Sequence, residues 1–148
     1  MADVETNGVV SGQAAEGALA YLTEMSPDLR GAAILDSGGA VLAATSEPNR
    51  WREDAAALLD VSDRAGEEPV RQVHVATEQG EVFALRHAGL TALVVSERFA
   101  LASLMFFDMR SVLRELAQDG AGAAEAARGG RQGSEVAEDA VAENGEGG

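Results

Sequence analysis

The stretch Thr91-Ala-Leu-Val-Val-Ser-Glu97 is apolar on both of the sides that a β-strand presents to its surroundings. Side chains alternate along a strand, so Ala92 and Val94 point to one side. Leu93 and Val95 then point to the other side. A strand that is apolar on both sides has to be covered on both sides. The stretch therefore predicts a central strand of a sheet with helices above and below it.

The segments next to this strand supply its predicted neighbours. Residues 99 to about 117 predict a helix that folds back over the strand, and its first half is apolar nearly all round, so it must contact more than one neighbour. Upstream, residues 70–77 and 81–88 predict two strands joined by a turn at Gln79-Gly80. With residues 91–97 they form an antiparallel meander.

The N-terminal half predicts two helices separated by a hairpin. A helix capped by Ser11 is followed by a β-hairpin over residues 31–45 that turns at Gly38-Gly39. The next helix begins after Ser46-Glu-Pro-Asn49, and either Ser46 or Asn49 can be its cap. The predicted order is therefore helix, two strands, helix, three strands, helix.

The two ends of the chain differ in composition from the middle. Residues 119–148 are rich in Gly, Ala and Glu, and their only larger apolar residues are Val136 and Val141. Such a segment cannot bury enough apolar surface to offset the entropy lost on ordering. We therefore predict an unstructured N-terminal extension over residues 1–10, a single domain over residues 11–118 and a disordered acidic tail over residues 119–148.

The composition excludes several classes of protein. The formal net charge is -14 and every basic residue is Arg, which argues against nucleic-acid binding and against attraction to an anionic membrane. The longest apolar run, residues 99–107, is too short to span a bilayer, and the acidic N-terminus does not resemble a signal peptide. Cysteine is absent, which excludes disulfides and thiolate sites. We expect a soluble, cytoplasmic protein with no membrane insertion.

Catalytic motifs are missing from the sequence. A P-loop needs a lysine that the chain lacks, and Gly120-Ala-Gly122 follows a predicted helix rather than the strand that a dinucleotide loop requires. His74 and His87 amount to half a zinc site and are more simply sheet histidines. Ser37 lies in a glycine turn but not in Gly-x-Ser-x-Gly. We expect no enzymatic activity, no metal and no cofactor.

Two features remain as candidates for binding another protein. Trp51, flanked by Arg50 and Arg52, is either a core anchor or an interface residue, since Trp and Arg are enriched at interface hot spots. The strand over residues 70–77 begins the meander and has neither lysine nor interior proline, so as an edge strand it can pair with a second strand. Alternatively, its flanking residues protect that edge.

The chain resembles the Roadblock family of dynein light chains and bacterial GTPase regulators over about residues 14–117. The resemblance lies in the element order, the Arg30-Gly-Ala-Ala-Ile-Leu-Asp36 opening, the Gly38-Gly39 turn and the meander that ends in a Leu-rich helix. The low aromatic content and all-Arg basicity resemble the actinobacterial members. The resemblance implies an α/β, Roadblock-like (profilin-like) fold: a five-stranded antiparallel sheet of order 2-1-5-4-3 with helices on both faces.

The same resemblance implies a non-catalytic homodimeric adaptor that binds a small Ras-like GTPase. It would modulate the nucleotide state of the GTPase or its assembly with a histidine-kinase-like sensor protein. The dimer interface that we predict comprises Val70, Gln72, Val73, His74, Val75, Leu58 and Ser62. The GTPase contact that we predict comprises Arg50, Trp51, Arg52 and Asp54.

Two other functions are compatible with the same element order. A small-ligand sensor of profilin-like or PAS-like fold would need a pocket with convergent polar groups, for which the sequence offers only His74, His87 and Thr91. An enzyme would need a nucleophile, a base and an acid near one another, and no such set is recognisable.

Overall fold

The computed structural model describes residues 10–131, and side-chain positions up to residue 120. The predicted element order is confirmed: a helix, two strands, a helix, three strands and a helix. No helix in this described part is long and apolar enough to cross a membrane. The elements are α1 (Gly12–Met25), β1 (Leu29–Leu35), β2 (Val41–Ala44), α2 (Pro48–Arg64), β3 (Gln72–Ala76), β4 (Glu81–His87), β5 (Leu90–Ser96) and α3 (Ala102–Arg131).

The five strands form one antiparallel sheet of order β2-β1-β5-β4-β3, as predicted. The strand with two apolar sides, β5, is in the middle, and most of its residues are buried. The residues 10–117 form one compact unit that contains the whole sheet. Its core therefore has two parts, one on each side of β5.

The larger part of the core lies between the sheet and the helices α1 and α3, on what we call the covered face. Ile34, Phe83 and Val94 project from three strands into this layer and are fully buried. Phe106 of α3 meets Phe83 edge to face, with ring centroids 5.4 Å apart. The opposite side, which we call the open face, packs against α2 through a smaller cluster around Ala55 and Leu93.

The helix starts only partly follow the sequence prediction. Ser11 caps α1 as predicted, and its side chain accepts a hydrogen bond of 3.0 Å from the Ala14 amide. Neither Ser46 nor Asn49 is the N-cap of α2. Glu47 takes the N-cap position, with a φ of 37° and no capping hydrogen bond from its side chain. Pro48 follows as the first helical residue, where its missing N–H costs no hydrogen bond. The last helix begins at Ala102 rather than at Phe99, whose φ of 65° is incompatible with a helix.

The turn between β3 and β4 differs from the predicted two-residue hairpin. Its four residues run from Thr77 to Gly80, and the Thr77 hydroxyl accepts hydrogen bonds from the amides of Gln79 and Gly80. This turn shifts the register by two residues, so His74 lies opposite Phe83 rather than opposite Leu85. Gly80 is required here, since a Cβ would lie 2.5 Å from the Ser96 carbonyl oxygen.

The end of α3 is a further correction. The sequence predicted that the helix stops near residue 117 and that a disordered tail begins at residue 119, whereas the helix continues to Arg131. The added turns hold five alanines beside four glycines, and lengthening an existing helix needs neither a new nucleus nor a new buried core. The predicted extension over residues 1–9 and the tail beyond residue 131 lie outside the described residues.

Candidate interaction face

The open face is only partly covered by its helix. Five strands spaced by about 4.8 Å make a sheet about 20 Å wide, whereas one helix with its side chains is about 10 Å across. The helix α2 packs over β2 and β1. The part of this face that belongs to β5, β4 and β3 has no second helix over it among the described residues.

A cavity of about 440 Å³ lies beside α2 on this uncovered part. Its volume is in the range of ligand-binding clefts in proteins. Its floor is the sheet and its side wall is the first half of α2, and most of its lining is apolar. The lining residues are Ser46, Glu47, Arg50, Trp51, Asp54, Leu58, Val75, Val82, Leu93 and Val95.

Trp51 is both a core anchor and a wall of the cavity. Its half-buried indole packs against the smaller core cluster and over Gly31. A Cβ at Gly31 would lie 3.2 Å from the indole Cζ2 and 3.3 Å from the Thr45 hydroxyl, so glycine makes room for the ring. The core-anchor interpretation of Trp51 therefore agrees with its position, and the interface interpretation stays a prediction.

The edge of the sheet borders this cavity. The Arg86 amide donates to the Arg71 carbonyl, and the Thr77 amide donates to the Gly80 carbonyl. In an antiparallel pair every second residue bonds to the partner strand, so the register places the backbone groups of Val73 and Val75 toward β4 as well. The backbone groups of the residues between them point away from β4. The outward-pointing residues of β3 are Gln72, His74 and Ala76.

The structure divides the predicted dimer residues between the two sides of the sheet. Leu58 and Val75 line the cavity on the open face, and Val73 packs against the smaller core cluster beneath it. Gln72 and His74 are paired with Leu85 and Phe83, so their side chains lie on the covered face. Ser62 is a half-buried residue of α2.

Val70, the remaining predicted dimer residue, holds the connection between α2 and β3. Its amide donates to Asp63 Oδ1 at 3.0 Å, and its carbonyl accepts from Arg86 Nη1 at 3.0 Å. Arg86 also binds both carboxylate oxygens of Asp63, at 2.8 and 3.0 Å. The hydrogen bond from Arg86, followed by that from Val70, lowers the pKa of Asp63. This cluster fixes the last turn of α2 to the sheet.

The predicted GTPase-contact residues are close together but not equivalent. Arg50, Trp51 and Asp54 line the cavity, whereas Arg52 is exposed and does not. Arg50 lies 3.9 Å from Glu47 and 3.8 Å from Asp54, and such exposed pairs contribute little to stability. The sequence thus proposed two surfaces, and the structure places members of both around one cavity.

The residues that form the floor of the cavity were not among the predicted site residues. Val82, Leu93 and Val95 share one side of the sheet with Val75, and the strand alternation already placed them together. They could have been predicted by comparing the width of one helix with that of a five-stranded sheet, because one helix cannot cover all five strands. The three polar residues suggested for a sensor pocket do not line the cavity, namely His74, His87 and Thr91.

His74 takes part in a network on the covered face. Its Nε2 lies 2.8 Å from Glu81 Oε1, and its ring stacks on Phe83 at 4.4 Å. The other oxygen of the buried Glu81 accepts a 2.7 Å hydrogen bond from the Phe99 amide. The bond to His74, followed by that from Phe99, holds the pKa of Glu81 low despite the opposing effect of burial. In the described part of the chain, no three acidic or imidazole groups converge as metal ligands would.

No protein-family model and no curated protein matches the chain. Solved structures do. A Roadblock/LC7 domain from Streptomyces avermitilis aligns with a TM-score of 0.59 and 22% identity, covering 68% of this chain and 92% of that one. MglB in a tetrameric arrangement aligns with a TM-score of 0.57 and 18% identity, and the alignment covers 76% of this chain and 90% of that one. LokiProfilin2, from a complex with rabbit actin, aligns with a TM-score of 0.52 and 14% identity, and the alignment covers 70% of this chain and 95% of that one.

These alignments define the class of fold. The sheet order β2-β1-β5-β4-β3, with α1 and α3 on one side and α2 on the other, is the Roadblock fold, which profilins share in outline. The fold that the sequence predicted by resemblance is confirmed. At such identities the likeness concerns the fold alone.

Proposed function

We propose that the protein is a non-catalytic, cytoplasmic adaptor that acts as a homodimer and binds a small Ras-like GTPase. The observation that carries the proposal is the half-covered open face, where Val75, Val82 and Val95 lie beside an edge strand with free backbone groups. A second copy of the chain can cover both the apolar floor and the edge. The structure of MglB in a tetrameric arrangement supports self-association of this fold.

The two copies pair their β3 strands, so that the two sheets become one. The outward-pointing amides and carbonyls of Gln72, His74 and Ala76 then gain partners, which edge strands otherwise lack. The α2 helices of the two copies approach each other over the cavity, and Leu58 and Val75 are buried there. Arg52, which points away from the cavity lining, stays accessible for a third protein.

The GTPase binds the outer side of the paired α2 helices, with Arg52 at the centre and Arg50, Trp51 and Asp54 around it. Arg and Trp are the residue types that carry most energy at protein interfaces. The adaptor changes the nucleotide state of the GTPase, or brings it together with a histidine-kinase-like protein. The likeness to MglB and the Roadblock/LC7 domain, together with the resemblance in sequence, supports this partner class.

Dimer formation is tested with proline at an outward-pointing position of β3. Ala76→Pro removes an amide that faces away from β4, so the fold is kept and the dimer is lost. Val75→Pro is the control, since it removes an amide of the internal ladder and should destabilise the fold itself. Sedimentation velocity at tens of micromolar measures the outcome. A monomeric wild type, or a dimeric Ala76→Pro protein, contradicts the proposed interface.

GTPase binding is tested by capture from the source cell on full-length protein, with GDP or a non-hydrolysable GTP analogue added. Calorimetry with the captured GTPase then compares wild type with Arg52→Ala, for which we expect a loss of about 1–2 kcal/mol. Arg64→Ala is the matched control, because Arg64 is exposed at the other end of α2 and pairs with Asp60. Equal binding by all three dimeric proteins would place the contact elsewhere.

The size of the cavity favours one second candidate, a small-ligand sensor. A volume of about 440 Å³ with an apolar floor suits a small hydrophobic molecule better than a polar one. Trp51 lines the cavity and is the only tryptophan, so its fluorescence reports occupancy. If the cavity holds a ligand, a fatty acid or a hydrophobic dye should change this fluorescence without dissociating the protein. If a second copy covers it, binding requires the monomeric Ala76→Pro variant.

A further inference from the structure

A second apolar surface lies on the other side of the sheet, between the C-terminal end of α1 and the start of α3. Met25, Leu101 and Leu104 are exposed there by 41%, 66% and 53%, and a cavity of about 100 Å³ lies among them. We call this surface the α1–α3 groove. Ser26 and Asp108 also line its cavity.

Asp108 is an unusual residue for the base of an apolar groove. Its side chain is only 6% exposed, and burial raises the pKa of its carboxyl group. Within residues 10–120 its carboxyl group has no hydrogen-bond partner, and neither has the hydroxyl of Ser26, which is 7% exposed. Buried polar groups in folded proteins are nearly always hydrogen-bonded, so this pair is poised to receive a donor from outside.

We propose that the α1–α3 groove binds a segment of a partner protein in which one Arg or Lys lies between two large aliphatic side chains. The aliphatic groups pack against Leu101, Leu104 and Met25. The cationic group enters the cavity, pairs with Asp108 and satisfies a carboxyl group that has no other partner within residues 10–120. Removing one partner of a buried charge pair is costly, so the cation determines specificity while the apolar contacts supply the area.

The charge of the chain favours a basic occupant. The formal net charge of -14 attracts cationic segments and repels acidic ones, which increases the rate of encounter. Residues 1–9 and 132–148 cannot serve as the occupant, because they contain neither Arg nor Lys. The groove lies between α1 and α3, whereas the proposed dimer and GTPase surfaces are formed by β3 and α2, so the inference does not depend on them.

The test selects a displayed library of random peptides of about a dozen residues on the full-length protein, with counter-selection on Leu104→Ser. Enriched peptides should combine at least two aliphatic residues with one Arg or Lys. They should bind Leu104→Ser about tenfold more weakly than wild type, because a Leu contact of this size is lost. Val61→Ser is the control, since Val61 is even more exposed, at 65% against 53% for Leu104, but lies on α2.

A double-mutant cycle between Asp108 and the basic residue of the peptide separates the role of Asp108 from that of the apolar contacts. Replacing the base of an enriched peptide by Gln should weaken binding to wild type about tenfold, and should have no effect on binding to Asp108→Asn. If Asp108→Asn does not fold, the comparison of the two peptides on wild type still decides. Equal binding of the two peptides to wild type overturns the proposal.

Three further results would overturn it. One is the absence of any enriched peptide, and another is an enriched set without basic residues. The third is a Leu104→Ser protein that self-associates less than wild type in sedimentation, which would show that a second copy of the chain occupies the groove. Enriched basic peptides that lose affinity for Leu104→Ser but not for Val61→Ser support it.

Discussion

The two faces of the sheet are covered to different extents. On the covered face, α1 lies over β1 and β2, and α3 completes a layer in which Phe83, Met109 and Leu113 are fully buried. On the open face a single helix packs over the same edge of the sheet, and Val75 at the other edge remains 38% exposed. The apolar surface of the sheet is thus fully covered on one face and only partly covered on the other.

The difference separates stability from recognition. A complete layer stabilises the chain alone, because its apolar surface is removed from water in the monomer. An incomplete layer leaves apolar area that only another molecule can cover, and such patches on soluble proteins mark interaction sites. We therefore expect substitutions on the covered face to affect unfolding, and substitutions at the free edge of the open face to affect association.

The largest expected effect is that of Phe83→Ala on the covered face. Phe83 is fully buried between His74 and Phe106, so its removal should lower the free energy of unfolding by about 3–5 kcal/mol. The counterpart on the open face, Val75→Ala, should cost less than about 1 kcal/mol in the monomer. Urea unfolding of both variants in the Ala76→Pro background measures the difference. Similar losses would show that the two faces are equally complete.

A smaller effect is expected where the open face is already packed. Gly31→Ala should push the Trp51 ring and cost about 1–3 kcal/mol, with a change in tryptophan fluorescence. Gly17→Ala is the control: a Cβ there meets nothing within 4 Å, and alanine favours the helix, so stability should rise by up to about 1 kcal/mol. A Gly31→Ala protein as stable as wild type would show that the indole moves aside freely.

A pH-dependent effect is expected on the covered face, at Glu81. The pKa of Glu81 is lowered in the folded protein, so its contribution is present above the pKa of the unfolded chain and is lost as the pH falls through the folded value. The Glu81→Gln protein should therefore lose less stability than wild type between neutral and acidic pH. Thermal unfolding across this range measures it. Parallel curves for the two proteins would mean that Glu81 does not titrate with folding.

The smallest effect is expected from removing the chain after Gln118. Both faces are built by residues 10–117, so the melting temperature of the shortened protein should stay within a few degrees of that of wild type. Differential scanning calorimetry of the two proteins at equal concentration gives the comparison. A fall of ten degrees or more would show that the removed residues stabilise one of the faces.

Much of the fold was accessible from the sequence because it rests on local patterns. The two-sided apolar alternation of β5 fixed its central place, and the Ser11 cap located α1. The four-residue turn at Thr77–Gly80 was missed because it depends on a side-chain hydroxyl that binds two amides. The end of α3 was missed because burial was used as the criterion, whereas extending an existing helix needs no new nucleus.

The candidate site was only partly accessible. The sequence indicated Trp51 and the edge strand, since a single tryptophan and a strand without lysine or interior proline can be recognised from the amino-acid sequence alone. The partial cover of the sheet depends on where α2 lies across the strands, and no local pattern encodes that placement. The buried Asp108 was missed for the same reason, because its burial results from the end of α1 and the start of α3 meeting in space.

The two ends of α2 are held by different forces, and this makes the helix sensitive to its surroundings in two ways. Cooling weakens hydrophobic contacts, so it should loosen the first turn, where Trp51 packs over Gly31. Acid should loosen the last turn, where Asp63 loses its bonds to Arg86 and Val70 on protonation. Amide hydrogen exchange along α2 would then speed up from opposite ends under the two conditions, and the mouth of the cavity would widen only in the cold.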